Sequence, residues 1–146
     1  MTRLLPLAAL LLPILAAGGG EAAAETFEIQ MLNKGAEGTM VFEPAFVKAA
    51  PGDVIRFVPT DRSHNAASID GMLPQDVAPF RSKMNKEFEL TVEDEGLYGV
   101  KCQPHFGMGM VALIQVGEAV NRDAVESVKL KGKAAARFEP LLAQVE

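Results

Sequence analysis

The stretch Tyr98-Gly99-Val100-Lys101-Cys102-Gln103-Pro104-His105-Phe106-Gly107-Met108-Gly109-Met110 sets a thiol, an imidazole and a thioether on one loop, in the spacing C-x2-H-x4-M. On its N-terminal side, residues 97–102 read as a strand that leaves the turn Glu93-Asp94-Glu95-Gly96. On its C-terminal side, residues 110–116 read as a final strand. The chain upstream supplies neighbours for both. Residues 26–32 alternate Phe27, Ile29 and Met31 with Glu28 and Gln30, the period-two pattern of a half-buried strand. Val41-Phe42 and Phe46-Val47 read as short strand pieces bent at Pro44, and Pro51-Gly52-Asp53 turns the chain into a strand over 54–58. Phe88, Leu90 and Val92 alternate with Glu87, Glu89 and Thr91. Short strands with turns every ten or so residues indicate an all-β, antiparallel sandwich or barrel.

The tail changes period. From Asn121 the residues Ala124, Val125 and Val128 recur at helical spacing, with Asn121 placed to cap the start and Gly132 to end it. Ala134, Phe138, Leu141, Leu142 and Val145 form the stripe of a second helix. Pro140 removes a backbone hydrogen bond there, so this helix kinks or its regular part starts near Glu139. The region 121–146 is therefore read as helical.

Residues 1–24 read as a secretory signal: Arg3 gives a positive start, an apolar run follows, and Ala22-Ala23-Ala24 supplies the small residues of a cleavage site. The apolar run is too short for a bilayer span, which needs about 20 residues, and no other run is long enough. One domain, 25–146, remains. It keeps the net charge of −5, because Arg3 and Glu21 cancel. That balance argues against nucleic acid as a partner, since such binding depends on Lys and Arg neutralising phosphates. The product is expected to be soluble outside the cytoplasm, without a membrane anchor after processing. The chain has a single Cys, so no disulfide forms within it, and a free thiolate in an oxidising compartment needs burial or a metal.

The chain holds only two His residues. One is His105, on the loop, and the other is His64, far upstream in Thr60-Asp61-Arg62-Ser63-His64-Asn65. A thiolate and two imidazoles, with a weak long thioether, are the ligand set of a blue-copper site. The thiolate is a soft donor suited to Cu(I), imidazole binds both oxidation states, and the weak thioether does not force the geometry that Cu(II) prefers. Three ligands on one loop and a fourth from another strand let a sandwich set the geometry before metal binds.

Other readings stay open on the residues alone. Cys102 is also what a small buried hydrophobe looks like, and Met108 and Met110 are also what core filler looks like. A Cys–His pair also serves as an acyl-transfer nucleophile, a reading that leaves Gly107-Met108-Gly109-Met110 without a role. Structural zinc takes Cys and His without Met. A copper-binding or delivery protein of the periplasm is the alternative from a different functional class.

The loop YGVKCQPHFGMGM, the stretch FVPTDRSHNA, the early MLNKG and the two-helix tail together resemble the pseudoazurins, a family of small periplasmic cupredoxins. The resemblance spans essentially all of 25–146 and implies an eight-stranded Greek-key β-sandwich with two C-terminal α-helices. It implies one type 1 copper ion held by His64, Cys102, His105 and Met110, with Met108 not a ligand. It also implies a monomeric one-electron carrier, not an enzyme, that serves copper nitrite reductase or, in some organisms, nitrous oxide reductase or cytochromes. Arg62 and Arg81 stand where the family commonly has lysine, Ala67-Ser68 where it is more often acidic, and Pro140 interrupts the last helix; none of these is a ligand.

The same resemblance assigns supporting roles. Asn65 is expected to bond the Cys102 sulfur through its backbone N–H and to tie the two ligand loops through its side chain. Pro104 has no N–H to give that sulfur. Met40, Pro104, Gly107 and Met108 are expected in an apolar patch around the exposed edge of His105. Lys34, Arg62, Arg81, Lys83 and Lys101 are expected around that patch as a basic ring that steers the molecule onto an acidic partner.

Overall fold

A computed structural model describes residues 22–146; the leader read over 1–24 lies outside the described residues up to its last three positions. Eight strands form two four-stranded sheets. They are β1 (Thr26–Gly35), β2 (Gly38–Glu43), β3 (Phe46–Ala49), β4 (Asp53–Val58), β5 (Ala67–Ser68), β6 (Phe88–Val92), β7 (Gly96–Lys101) and β8 (Val111–Val116), followed by α1 (Arg122–Ser127) and α2 (Gly132–Leu142). One sheet has the order β2-β1-β4-β6 and the other β3-β8-β7-β5. The chain changes sheets between β2 and β3, at Pro44, which has no amide to offer a ladder.

The sheets are mixed, where the strand pattern suggested antiparallel pairing alone. β1 runs parallel to β4, and β3 parallel to β8. Strand β5 escapes the period-two reading because it is two residues long with both side chains buried, so it shows no alternation.

Between the sheets, Ile29, Met31, Phe42, Ile55, Phe57 and Val92 from the first meet Tyr98, Val100, Ala112, Ile114 and Val116 from the second. Cys102 and Met110 belong to this same core. The outer face of β7 and β8 is covered too. Leu97, Val111 and Leu113 pack there against Val125 of α1 and Ala134, Phe138 and Leu141 of α2. Because sandwich and helices claim opposite faces, β8 is buried along its whole length. The strand that carries Met110 to the site is thus clamped on both sides.

Two expectations for the tail are corrected, and one of the two readings of Pro140 is set aside. Asn121 occupies the N-cap position of α1 without a side-chain capping bond. Its amide instead accepts from the Leu97 N–H at 2.6 Å and donates to the Leu97 carbonyl at 2.9 Å, pairing with β7 as a strand residue would. Gly96 makes room for this, since a Cβ on it would lie 2.8 Å from Asn121 Oδ1. Gly132 opens α2, whereas α1 has already ended at Ser127. Finally, α2 runs from Gly132 to Leu142 with Pro140 inside it, so its regular part does not wait for Glu139; Pro140 leaves the Ala136 carbonyl without the N–H that an ordinary residue would donate.

Candidate metal centre

The His64 side chain reaches the site from the segment between β4 and β5, and Cys102 from the end of β7. His105 follows in a turn whose amide bonds the Cys102 carbonyl at 3.2 Å, and Phe106–Met108 continue it as a 3₁₀ turn. Met110 closes the loop on itself. Its N–H donates to the His105 carbonyl at 3.1 Å, while its own carbonyl accepts from the Cys102 N–H at 3.0 Å. These short-range bonds close the segment from Cys102 to Met110 into a compact loop.

His64 Nδ1 and His105 Nδ1 lie 3.1 Å apart, and each is 3.6 Å from Cys102 Sγ. Bonds of about 2.0 Å to nitrogen and 2.3 Å to thiolate place ligand atoms that share one ion about 3 to 4 Å apart. The triangle therefore fits a single ion. Its donor set, two imidazoles and a thiolate, suits a soft metal. With Met110, buried in the same core, the four residues form an arrangement like that of a type 1 copper site. Cys102, His64 and Met110 have no exposed surface, and His105 alone is partly exposed.

The surroundings set the state of each donor. His64 Nε2 lies 2.8 Å from Asn33 Oδ1, which is an acceptor only, so the ring proton sits on Nε2 and Nδ1 is left as the donor. Burial, and then the neighbouring His105, push the His64 pKa down, against Asp61, so the ring stays neutral and able to bind metal. Burial pushes the Cys102 thiol up, and the backbone N–H groups of Asn65 and His105 act against that. The sulfur thus meets two backbone amides although Pro104 offers none.

Asn65 links the two ligand segments. Its Oδ1 accepts from the Gln103 N–H at 2.9 Å, and its Nδ2 donates to Gln103 Oε1 at 2.9 Å. Met40 sits on β2, half-buried against the core that contains Cys102 and Met110. Pro104, Gly107 and Met108 are exposed beside His105. Lys34, Arg62, Arg81 and Lys83 are exposed and each is within two residues of Asn33, His64 or Ser82, the last of which accepts from Asn65. Lys101 lies over the Phe106 ring, its ammonium 5.2 Å from the centroid. Among the described residues none of these five cations forms an ion pair with a carboxylate, whereas Lys48, Arg56 and Arg122 do.

Four residues at the site were not singled out from the sequence. Asn33 stands in the MLNKG stretch and Gln103 inside the loop, but nothing in one sequence reveals a partner 31 or 38 positions away. Met84 is 43% exposed, as Met108 is 40%, and it neighbours Asn85, whose N–H bonds the His64 carbonyl at 2.9 Å. Arg137 carried a readable signal, since a charge three residues from Ala134 and four from Leu141 sits at the edge of the buried stripe of α2.

A family model for copper binding proteins of the plastocyanin/azurin family matches residues 29–117. A pseudoazurin of Paracoccus pantotrophus is 59% identical over 123 residues, which cover 84% of this chain and 85% of that protein. The crystal structure of native pseudoazurin from Hyphomicrobium denitrificans superposes with a TM-score of 0.80 at 47% identity, covering 83% of this chain and 98% of that one. That of pseudoazurin from Methylobacterium extorquens AM1 gives 0.81 at 41% identity, covering 83% and 99%.

Proposed function

The chain belongs to the plastocyanin/azurin family of copper-binding proteins as a blue copper electron carrier of the pseudoazurin type, and on that premise we propose that it works in the periplasm, passing single electrons to a copper nitrite reductase. In this reading residues 1–24 are removed on export and the mature chain starts at Glu25. His64, Cys102, His105 and Met110 hold the metal. The observation that carries the reading is the buried triangle of His64 Nδ1, His105 Nδ1 and Cys102 Sγ, opened to solvent by one partly exposed imidazole.

Bound copper supplies a one-electron couple between Cu(II) and Cu(I). The protein supplies rigidity and access. Asn33 and Asn65 fix the two ligand loops to β1 and to each other, so the donor positions change little with the oxidation state. Burial of His64, Cys102 and Met110 keeps water from the donors, and the partly exposed edge of His105 is the route for the electron. In this reading exposed Met108, Met84, Pro104 and Gly107 would supply an apolar contact there, and Lys34, Arg62, Arg81, Lys83 and Lys101 a positive rim. A copper-delivery protein needs exchangeable, accessible ligands, which this burial opposes.

Adding Cu(II) to purified copper-free protein tests the site. The expected product is intensely coloured by thiolate-to-copper charge transfer and has a small parallel hyperfine splitting in electron paramagnetic resonance. A pale product overturns the metal assignment. Reoxidation of the reduced protein by copper nitrite reductase and nitrite tests the partner; a reduced protein that stays reduced overturns it.

A further inference from the structure

We propose that Arg137 of α2 is a positioning residue for Met110, the thioether that would hold copper, an inference that rests on the copper reading above. Its guanidinium donates through Nη1 to the carbonyls of Met40 at 2.7 Å and Gly109 at 3.2 Å, and through Nη2 to that of Thr39 at 2.8 Å. Thr39 and Met40 lie on β2, in one sheet, and Gly109 lies on the loop that enters β8, in the other. One half-buried cation therefore ties three units together: both sheets and the terminal helix.

The Gly109 carbonyl is the decisive partner. It belongs to the same planar peptide unit as the Met110 N–H, because the peptide bond holds the six atoms in one plane. That N–H donates to the His105 carbonyl at 3.1 Å. The unit is thus held at both ends, by Arg137 at the oxygen and by His105 at the nitrogen, and its orientation fixes where the Met110 Cα and thioether begin.

Two backbone details show that the fold is shaped around this contact. Gly109 has φ +86°, and a Cβ on it would lie 2.9 Å from Arg137 Cδ and 2.9 Å from the Lys133 carbonyl oxygen, so only glycine lets α2 come this close. Met40 has φ 51°, a left-handed conformation that costs a side-chain-bearing residue about 1 kcal/mol or more. Its carbonyl receives the shorter of the two Nη1 bonds. Arginine suits the task because a rigid planar fork serves several carbonyls at once, whereas lysine offers one mobile point charge.

Without the fork, the Gly109–Met110 unit is held at one end only. A weak thioether contact to bound copper would be the ligand most sensitive to such slack, and in blue-copper sites it tunes the potential. Loss of a positive charge alone would shift the potential without altering ligand geometry, so the variants must separate the two effects.

The test compares wild type, Arg137→Lys and Arg137→Gln, each with circular dichroism to show that the fold is retained. In the copper-loaded proteins, the ratio of the two thiolate-to-copper bands and the rhombicity of the Cu(II) resonance should change in both variants. In the copper-free proteins, amide exchange at Met110 should quicken about tenfold or more while Ile114, inside β8, stays near wild type. An unchanged band ratio with unchanged Met110 exchange in the Lys variant overturns the proposal, even if the Gln variant shifts the potential. If Arg137→Gln does not fold, the Lys variant decides by the same readouts. A wild-type protein that forms no blue complex overturns the copper reading itself, and the role of Arg137 toward a thioether ligand with it.

Discussion

Asn33 Oδ1 receives the outer ring proton of His64 at 2.8 Å, and the Asn33 N–H in turn donates to Asp61 at 2.7 Å. A residue at the end of the first strand thereby selects the tautomer of a ligand 31 positions later. The ring nitrogen facing Cys102 keeps its lone pair because the other nitrogen has an acceptor waiting.

Asn33→Leu removes that acceptor and leaves the buried His64 N–H unpaired. Partners of this kind are typically worth about 10- to 100-fold in metal affinity. The variant should bind copper correspondingly more weakly in a chelator competition, with the fold retained. Wild-type affinity would show that packing alone orients the imidazole.

Pro104→Ala adds an N–H two residues beyond Cys102, in the turn whose His105 amide already faces the sulfur together with the Asn65 amide of the other ligand segment. A further donor to the thiolate withdraws electron density, which favours Cu(I) over Cu(II). The reduction potential should rise in voltammetry. A potential that is unchanged or lower would mean that Pro104 serves only to stiffen the loop.

Lys34→Glu combined with Lys101→Glu reverses two cations of the rim, one beside Asn33 and one beside Cys102, without touching a donor atom. At low salt the association rate with an acidic partner protein should fall about tenfold, and the two proteins should converge at high salt. Equal rates at low salt would remove these residues from the docking face. Met84→Lys offers a separate probe, since a charge set into the apolar contact should weaken docking at any salt concentration.

What the sequence shows and what it hides follow from the range of the interactions. The ligand loop was legible because its own backbone builds it: the bonds among Cys102, His105 and Met110 are all within eight residues. The strands were legible where one face meets the core and the other meets water, as in β1 and β6, and illegible in β5, which is buried on both faces. The membership of His64 in the site could be inferred from scarcity, since only one other imidazole exists in the chain. Asn33, Gln103 and Arg137 act through pairings between distant segments, and the local setting of Asn121 favours a cap, yet the β7 backbone competes for the same amide and wins.

Asp53 gives the fold its acid dependence at the end remote from the loop. Its buried carboxylate accepts from the N–H of Ala50 and from the nitrogen of Glu25, each at 2.8 Å, pinning the start of β1 to the turn before β4. The Ala50 amide first, and Glu25 second, hold its pKa below the usual carboxylate range, against the opposing effect of burial. A carboxyl whose pKa is lower folded than unfolded contributes stability above its unfolded pKa, about 4, and loses it as the pH falls through the folded value. Asp53→Asn lacks the charge at every pH and turns one N–H toward donors. Urea unfolding should therefore find the wild type clearly more stable than Asp53→Asn at neutral pH, with the gap narrowing steadily below about pH 4. If the mature chain starts at Glu25, that nitrogen is an ammonium and the gap at neutral pH should be larger than in a chain extended by Ala22-Ala23-Ala24. A gap independent of pH would assign the effect of the substitution to packing alone.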